Sequence, residues 1–504
     1  MTLVNILFIL ADQFRSDCLG HLGNEVIRTP NLDRLASAGV SFTHCFNQTA
    51  PCGPSRMCIY TSRYLCSTRA VNNMTPLLDA EDNYGFALRQ AGYDPGLIGY
   101  NDYAVEPALL APGDERLTTL RYDNVLPGFE RVYYHEYDSK EYFDWLADLG
   151  YPEELQCHAG IHQPDVPPEG PGEHLPQHFP AKYSKEHSEC RYVTDRAIDY
   201  IQDRSPARRE SGQEKGWVLS LNYIKPHPPN ICCEPYCDMY DPAAMPPAAR
   251  SDHELAPSHP YLRNLGARQL EDDLHLREYR ACYYGMITEV DDNLGLVFKA
   301  LEESGQWEDT LIIFSADHAE HLGDHYLTGK GQFYDGGMRI PFIIRDPSPD
   351  ADGTRGQVLD HLVEAIDSAP TLMQALGEAV PDRFQGRSLL PLLRGGDGVY
   401  EPKQEIHYEF DYRGAGMAAQ ESETKDPDKH LLWVVRDREY KYIHFADEEM
   451  PPILFDLRTD PDELNNVAGL AAYASVELAC CQRLLRWRMY NEDQRGEHWA
   501  QQYR

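Results

Sequence analysis

Cys52 lies in the run Ala50-Pro51-Cys52-Gly53-Pro54-Ser55-Arg56, whose members at 51, 53 and 54 offer no general base. A nucleophilic thiol needs an adjacent base or a depressed pKa, so whatever activates Cys52 must come from elsewhere in the fold. Two other places carry ligand-type side chains. Asp12 follows the apolar run Val4 to Leu10, and Asp317-His318 follows Leu311-Ile312-Ile313-Phe314-Ser315. If both runs are strands of one sheet, three potential ligands converge on one sheet edge. A carboxylate after a strand also serves as a helix cap, which is the simpler account of Asp12 alone; two strand-end sites together favour a metal centre. A mixed Asp/His set suits a divalent cation of the manganese kind at least as well as calcium, whose sites are all oxygen.

The elements that must position these groups alternate. Val4 to Leu10 is followed by Thr29-Pro30-Asn31-Leu32-Asp33-Arg34-Leu35-Ala36, which predicts a capped helix with proline in its first turn. The alternation returns with Trp217-Val218-Leu219-Ser220-Leu221, with a long helix bearing Ile287, Val290, Leu294, Val297 and Leu301, and with the strand Leu311 to Ser315. Strands this apolar on both faces belong inside a sheet covered by helices. The fold class is therefore α/β, a large mainly parallel sheet flanked by helices, with ligands beyond the carboxyl ends of its strands. Leu431-Leu432-Trp433-Val434-Val435 and Tyr440-Lys441-Tyr442-Ile443 suit a small antiparallel sheet, so residues 1–380 are expected to form the catalytic domain and 381–504 a C-terminal subdomain. Two stretches break the pattern: Cys157 to Pro180, dense in Pro, Gly and His, reads as a long surface excursion, and Asp411 to Lys429 as irregular chain.

Composition narrows the partners. The 504 residues carry 46 basic and 81 acidic side chains, a net charge of −35, which disfavours nucleic acid and anionic lipid. A small anionic substrate needs its own pocket of cations. The N-terminus lacks the basic start and cleavage site of a signal peptide, and no stretch approaches the roughly 20 apolar residues of a membrane span, so a cytoplasmic protein is expected. The 13 cysteines show no disulfide framework and are expected to stay reduced; Cys232-Cys233 with Cys237 lacks the second Cys/His pair of a zinc clip.

Cys52-Gly53-Pro54-Ser55-Arg56 resembles the C-x-P-x-R signature of the sulfatases, whose cysteine is oxidised after translation to formylglycine. Asp12-Gln13, Thr29 to Leu35, Asp317-His318 and Leu454-Phe455-Asp456-Leu457-Arg458-Thr459-Asp460-Pro461 look like further sulfatase landmarks in the expected order, so the resemblance spans nearly the whole chain. Within that family, Thr68-Arg69-Ala70-Val71-Asn72-Asn73, Ala91 to Tyr100, Lys225-Pro226-His227-Pro228-Pro229 and Leu322 to Lys330 look most like the phosphonate monoester hydrolases and their arylsulfatase relatives.

The resemblance implies one divalent metal ion, Mn2+ or Ca2+, held by Asp12, the formylglycine made from Cys52, Asp317 and His318, with Gln13 close by. It implies that Arg56 holds the nucleophile, and that Asn73, Tyr100, His227 and Lys330 line the substrate oxygens and leaving group, His227 or Lys330 assisting the latter. Hydrated formylglycine would supply one hydroxyl as nucleophile, and loss of the proton on the other would expel the product anion. The partners implied are a small anionic ester and a formylglycine-generating enzyme, and a homo-oligomer is expected. Tyr100, Gln13 and His318 replace the Lys, Asp and Asn of ordinary sulfatases, which points to the phosphonate branch, whereas Asp102 stands where that branch has a neutral hydroxyl residue. Sulfate monoester hydrolysis is the leading expectation, phosphonate monoester or phosphodiester hydrolysis the close alternative, and an inactive binding protein of the same fold the rival of another class. Such a relic should have lost Cys52, Arg56 or a metal ligand, and all are present.

Overall fold

A computed structural model of the chain describes residues 4–77, 79–106, 108, 110–114, 125–137, 139–208, 215–263, 270, 272–396, 400–412, 429 and 431–491. The expected irregular segment from Asp411 to Lys429 therefore lies almost wholly outside the described residues.

The large sheet contains β1 (Asn5–Ala11), β2 (Val40–Phe46), β3 (Gly96–Gly99), β4 (Glu130–Tyr134), β5 (Val218–Tyr223), β6 (Thr310–Ser315), β7 (Arg339–Ile340), β8 (Phe342–Arg345) and β9 (Gln357–Glu364). Its order is β4-β3-β5-β1-β6-β8-β2-β7, with β9 paired to β2. From β4 to β6 every pairing is parallel; β8 runs antiparallel to both β6 and β2, so the sheet is mixed, with its parallel half carrying β1 and β6. All residues of β1, β5 and β6 are buried, as continuous apolar runs covered on both faces should be.

The flanking helices used below are α1 (Pro30–Ser37), α2 (Cys52–Thr61), α3 (His158–Ile161), α4 (Glu189–Asp203) and α5 (Asp273–Glu303). Thr29 does occupy the N-cap of α1, but its hydroxyl makes no cap. It turns to Asp33 Oδ1 at 3.1 Å, and the free N–H groups of Asn31 and Leu32 are instead satisfied by Asp291 of α5, at 3.0 and 2.8 Å. A carboxylate at a helix start opposes the positive end of its dipole. Here it also locks α1 to α5.

The second sheet is an antiparallel meander of β10 (Ile406–Asp411), β11 (Leu431–Arg436), β12 (Tyr440–Phe445) and β13 (Ile453–Asp456). Tyr408 and Phe455 pack from it against Phe46, Phe333 and Met338 of the larger body. Beside that apolar contact, buried Lys441 reaches Asp335 at 2.5 Å and also pairs with Glu463, while Arg436 reaches Asp335 at 3.0 Å. Among the described residues no helix is long and apolar enough to cross a membrane.

Candidate active site

The parallel register sets the geometry. Leu10 of β1 lies level with Asn222 of β5 and Ser315 of β6, so the residues just beyond these strands emerge side by side. Asp12 and Asp317-His318 leave at this edge, and α2 begins there with Cys52 as its first residue. One ligand atom each from Asp12, Cys52, Asp317 and His318 falls within a cluster no more than 4.8 Å across, and all four residues are buried. The convergence expected from the two strand ends is thus present, with Cys52 added to it.

His318 is oriented as metal-binding histidines are. Its Nδ1 faces the Ala319 carbonyl at 3.2 Å and therefore donates, leaving the Nε2 lone pair directed at Cys52 Sγ (3.3 Å), Asp12 Oδ1 (3.5 Å) and Asp317 Oδ1 (3.8 Å). Burial and the neighbouring Asp12 carboxylate push Asp317 up to about 7, a repulsion that a divalent cation between the two would relieve. Asp12 goes the other way. Burial alone would raise it, but His227, His318, Lys330 and Arg56 together hold it well below the usual carboxylate range. Gln13 turns with a left-handed backbone (φ 65°), its N–H donating to Asp317 Oδ1 at 3.2 Å and its side-chain amide to Glu320, while its buried Oε1 has no hydrogen-bond partner. Two carboxylates, an Nε2 lone pair and an amide oxygen make a donor set that fits a hard or borderline divalent ion.

Arg56, fully buried one turn into α2, ties the floor together. Its Nε donates to Asp317 Oδ2 at 2.9 Å, Nη2 to Asp12 Oδ2 at 3.2 Å, and Nη1 to Asn222 Oδ1 at 3.0 Å and the Tyr100 carbonyl at 3.1 Å. The guanidinium also lies 4.0 Å over the Tyr100 ring, whose hydroxyl donates to Asp12 Oδ2. Tyr100 therefore bears on a candidate metal ligand as directly as on any substrate. Asp102, in a left-handed conformation (φ 55°), sits 3.8 Å from Arg56 Nε and is pushed up to about 7 by burial. Asn73 Oδ1 accepts the Gly53 N–H at 2.9 Å, which pins the first turn of α2.

Lys330, His227 and Asn73 are half-buried and form the mouth above this floor. Lys330 Nζ stands 2.8 Å from Cys52 Sγ and 2.7 Å from His227 Nε2. His227 Nδ1 faces the Pro228 carbonyl at 2.6 Å and must donate to it, so Nε2 accepts from the lysine. Burial depresses His227 to about 4, leaving it a neutral acceptor near pH 7. Burial would also lower Lys330, but Cys52, Asp12 and Asp317 outweigh it and keep the ammonium charged. Burial, then Asp12, push the Cys52 thiol well above its usual value against the pull of Lys330, which disfavours the nucleophilic thiolate. Its Sγ marks where a reactive group converted from this side chain would stand.

Two positioning residues escaped the sequence. Asn222 lies next to last in β5, and Glu320 follows Asp317-His318 by two residues; Asn222 accepts from Arg56 and Glu320 from the Gln13 side-chain amide, partners far off in the sequence.

A sheet edge of buried carboxylates, a cysteine at a helix start and a cation over its sulfur make a site suited to hydrolysing anionic esters. The sulfatase family model matches residues 4–378, and a model of the N-sulphoglucosamine sulphohydrolase C-terminal region matches residues 323–490. The chain belongs to the sulfatase family. It is 37% identical to the multifunctional alkaline phosphatase superfamily protein PehA of Trinickia caryophylli, over 99% of this chain and 98% of that one. An arylsulfatase of Clostridium perfringens is 27% identical over 93% of this chain and 91% of its own length. The phosphonate monoester hydrolase structure from Agrobacterium radiobacter superposes with a TM-score of 0.87 at 37% identity, covering 97% of this chain and 96% of that one.

Proposed function

We propose that this enzyme hydrolyses singly charged esters of tetrahedral oxyanions, phosphonate monoesters ahead of sulfate monoesters, using formylglycine made from Cys52 and one divalent metal ion. The single observation that carries the proposal is the position of Cys52 Sγ, in hydrogen-bond reach of both His318 Nε2 and Lys330 Nζ and inside the four-residue cluster. Sulfate led on sequence grounds; the 37% identity to a phosphonate monoester hydrolase, against 27% to an arylsulfatase, moves phosphonate ahead.

In this reading Asp12, Gln13, Asp317 and His318 hold the metal, which when bound acts as a Lewis acid and lowers the pKa of a coordinated hydroxyl. Formylglycine supplies the nucleophilic oxygen that the thiol cannot. Arg56 keeps the two carboxylates and the start of α2 in register, and Asn73 fixes Gly53 next to the nucleophile. Lys330 attracts the substrate oxyanion and donates a proton to the leaving oxygen. His227, whose Nε2 accepts from the ammonium, aims that proton rather than supplying its own. Asp102 places a carboxylate beside Arg56, which offsets part of the pocket's positive charge and disfavours doubly charged phosphate monoesters.

Peptide mass spectrometry of the Cys52 segment, with assays of the same preparation on aryl phosphonate, aryl sulfate and phosphodiester esters, tests the proposal. Activity should scale with the converted fraction, vanish on chelation and return with Mn2+. Full activity from unconverted Cys52 would remove formylglycine from the mechanism, and a sulfate rate above the phosphonate rate would reverse the order of substrates.

A further inference from the structure

The excursion at 157–180 carries two His-x-x-x-His pairs, at 158/162 and 174/178, and each meets a buried glutamate, Glu189 and Glu278. The first group is the better built. His158 opens α3, His162 follows it by one turn, and Glu189 opens α4. Their ligand atoms lie within 4.8 Å of one another, and the His158 and His162 rings stand 4.3 Å apart between centroids. The side chains of His162 and Glu189 are only 6% and 5% exposed.

The hydrogen bonds around the group leave a charge to be supplied. His162 Nδ1 faces the His158 carbonyl at 2.8 Å, so it must donate. In a neutral ring Nε2 then carries a lone pair, yet it points at Glu189 Oε2 from 3.1 Å. Two electron-rich atoms at that separation require a positive species between them. A proton on His162 would serve those two atoms; a metal ion serves them and His158 together. Two ligands bonded at about 2.0–2.1 Å to a tetrahedral ion lie about 3.3 Å apart, close to the spacing observed. Outside the group, Glu189 Oε1 is bonded to His135 Nε2 at 3.1 Å, and His135 Nδ1 to the Tyr133 hydroxyl at 2.9 Å. Such outer hydrogen bonds fix the orientation of metal ligands.

We propose that His158, His162 and Glu189 form a second metal site, distinct from the catalytic cluster, that takes zinc through two imidazoles and one carboxylate. A nitrogen-rich set of three excludes calcium and magnesium, which demand oxygen, and matches zinc with solvent in the fourth position. The ion staples the start of the excursion to α4 and, through His135, to the end of β4. The returning leg of the excursion is bonded to the loop that carries His227: Ala181 N–H donates to the Cys232 carbonyl at 2.8 Å, and Lys225 Nζ donates to the Tyr183 hydroxyl at 3.3 Å. Zinc at this site therefore steadies a segment that leads into the mouth of the active site.

The test uses the full chain stripped of metal and dialysed against micromolar zinc. His162→Ala should bind one equivalent less than the wild type, and His135→Ala should weaken the site ~10–100-fold. Equal stoichiometry in wild type and His162→Ala overturns the proposal. Should His162→Ala fail to fold, wild-type crystals soaked in zinc and measured across the zinc absorption edge decide independently. An anomalous peak about 2.0–2.1 Å from His162 Nε2 and Glu189 Oε2 is expected; saturating zinc with no peak there overturns the proposal.

Discussion

Lys330→Ala tests whether the leaving oxygen receives its proton from the ammonium or the imidazole, the two groups that stand 2.7 Å apart at the mouth of the site. With Nδ1 committed to the Pro228 carbonyl and Nε2 accepting from Lys330, His227 has no proton to give in this arrangement. A positioned general acid contributes about 10²–10⁴ in rate, or roughly 3–5 kcal/mol of barrier. That contribution is needed when an alkoxide departs and hardly needed when a nitrophenolate does. The attraction between Lys330 and the substrate anion is common to both kinds of ester and cancels in their ratio. Lys330→Ala should therefore raise the aryl-to-alkyl ratio of kcat/KM by about 10²–10⁴, read as a steeper dependence on leaving-group pKa across a series of methylphosphonate monoesters. An unchanged slope with uniformly slower turnover would make Lys330 an anion-binding cation only. A steeper slope in His227→Ala but not in Lys330→Ala would refute the assignment and make the histidine the acid.

Cys52→Ala and Asp317→Ala should each reduce hydrolysis to background while thermal unfolding stays cooperative; near-normal turnover in either would sink the covalent, metal-assisted route. Asp102→Asn removes a carboxylate 3.8 Å from Arg56 Nε; an added substrate charge ~5 Å away at an effective dielectric of ~20 is worth roughly 3 kcal/mol, so phosphate monoester dianions should gain about 100-fold relative to singly charged esters. Because burial pushes Asp102 up to about 7, the wild type should reject dianions more strongly above that pH than below it, and the variant should lose this dependence. At the interface of the two sheets, burial would raise Asp335, but Arg436, Lys441 and Arg339 outweigh it and hold the carboxyl well below its usual value. A depressed carboxyl stabilises the fold fully above the unfolded pKa, about 4, and progressively less as pH falls below it. Urea midpoints should accordingly drop between pH 5 and 3, and Asp335→Asn should lose ~1–3 kcal/mol at pH 7 by removing one of the two carboxylate partners of buried Lys441, with a shallower acid fall.

How much of this was legible in the sequence depends on whether a residue's role is local or reaches across the sheet. Strand-end groups are local: apolar runs such as Ile6 to Ala11 and Leu311 to Phe314 announce buried strands, and the charged residues just beyond them must sit at the sheet edge where ligands gather. Asp12, Asp317 and His318 could be placed together without knowing the strand order, and the sheet bears this out because β1 and β6 are neighbours. Arg56 was visible only as part of a motif, since nothing in a helical arginine foretells four acceptors on four other elements. Asn222 and Asp291 could not be read at all. The first matters because the register of β5 against β1 and the path of α2 bring it to Arg56; the second caps α1 from 260 residues away, in place of the threonine that the local pattern nominates. The same limit divides the site itself. Its floor is built at strand ends and survives small errors of register, whereas its mouth depends on loops that bring Lys330 over Cys52 and His227 within 2.7 Å of the ammonium. The proposed metal and nucleophile chemistry thus rests on the part of the fold a sequence specifies most directly, and the proposed choice among esters on the loops that carry Lys330, His227 and Asp102.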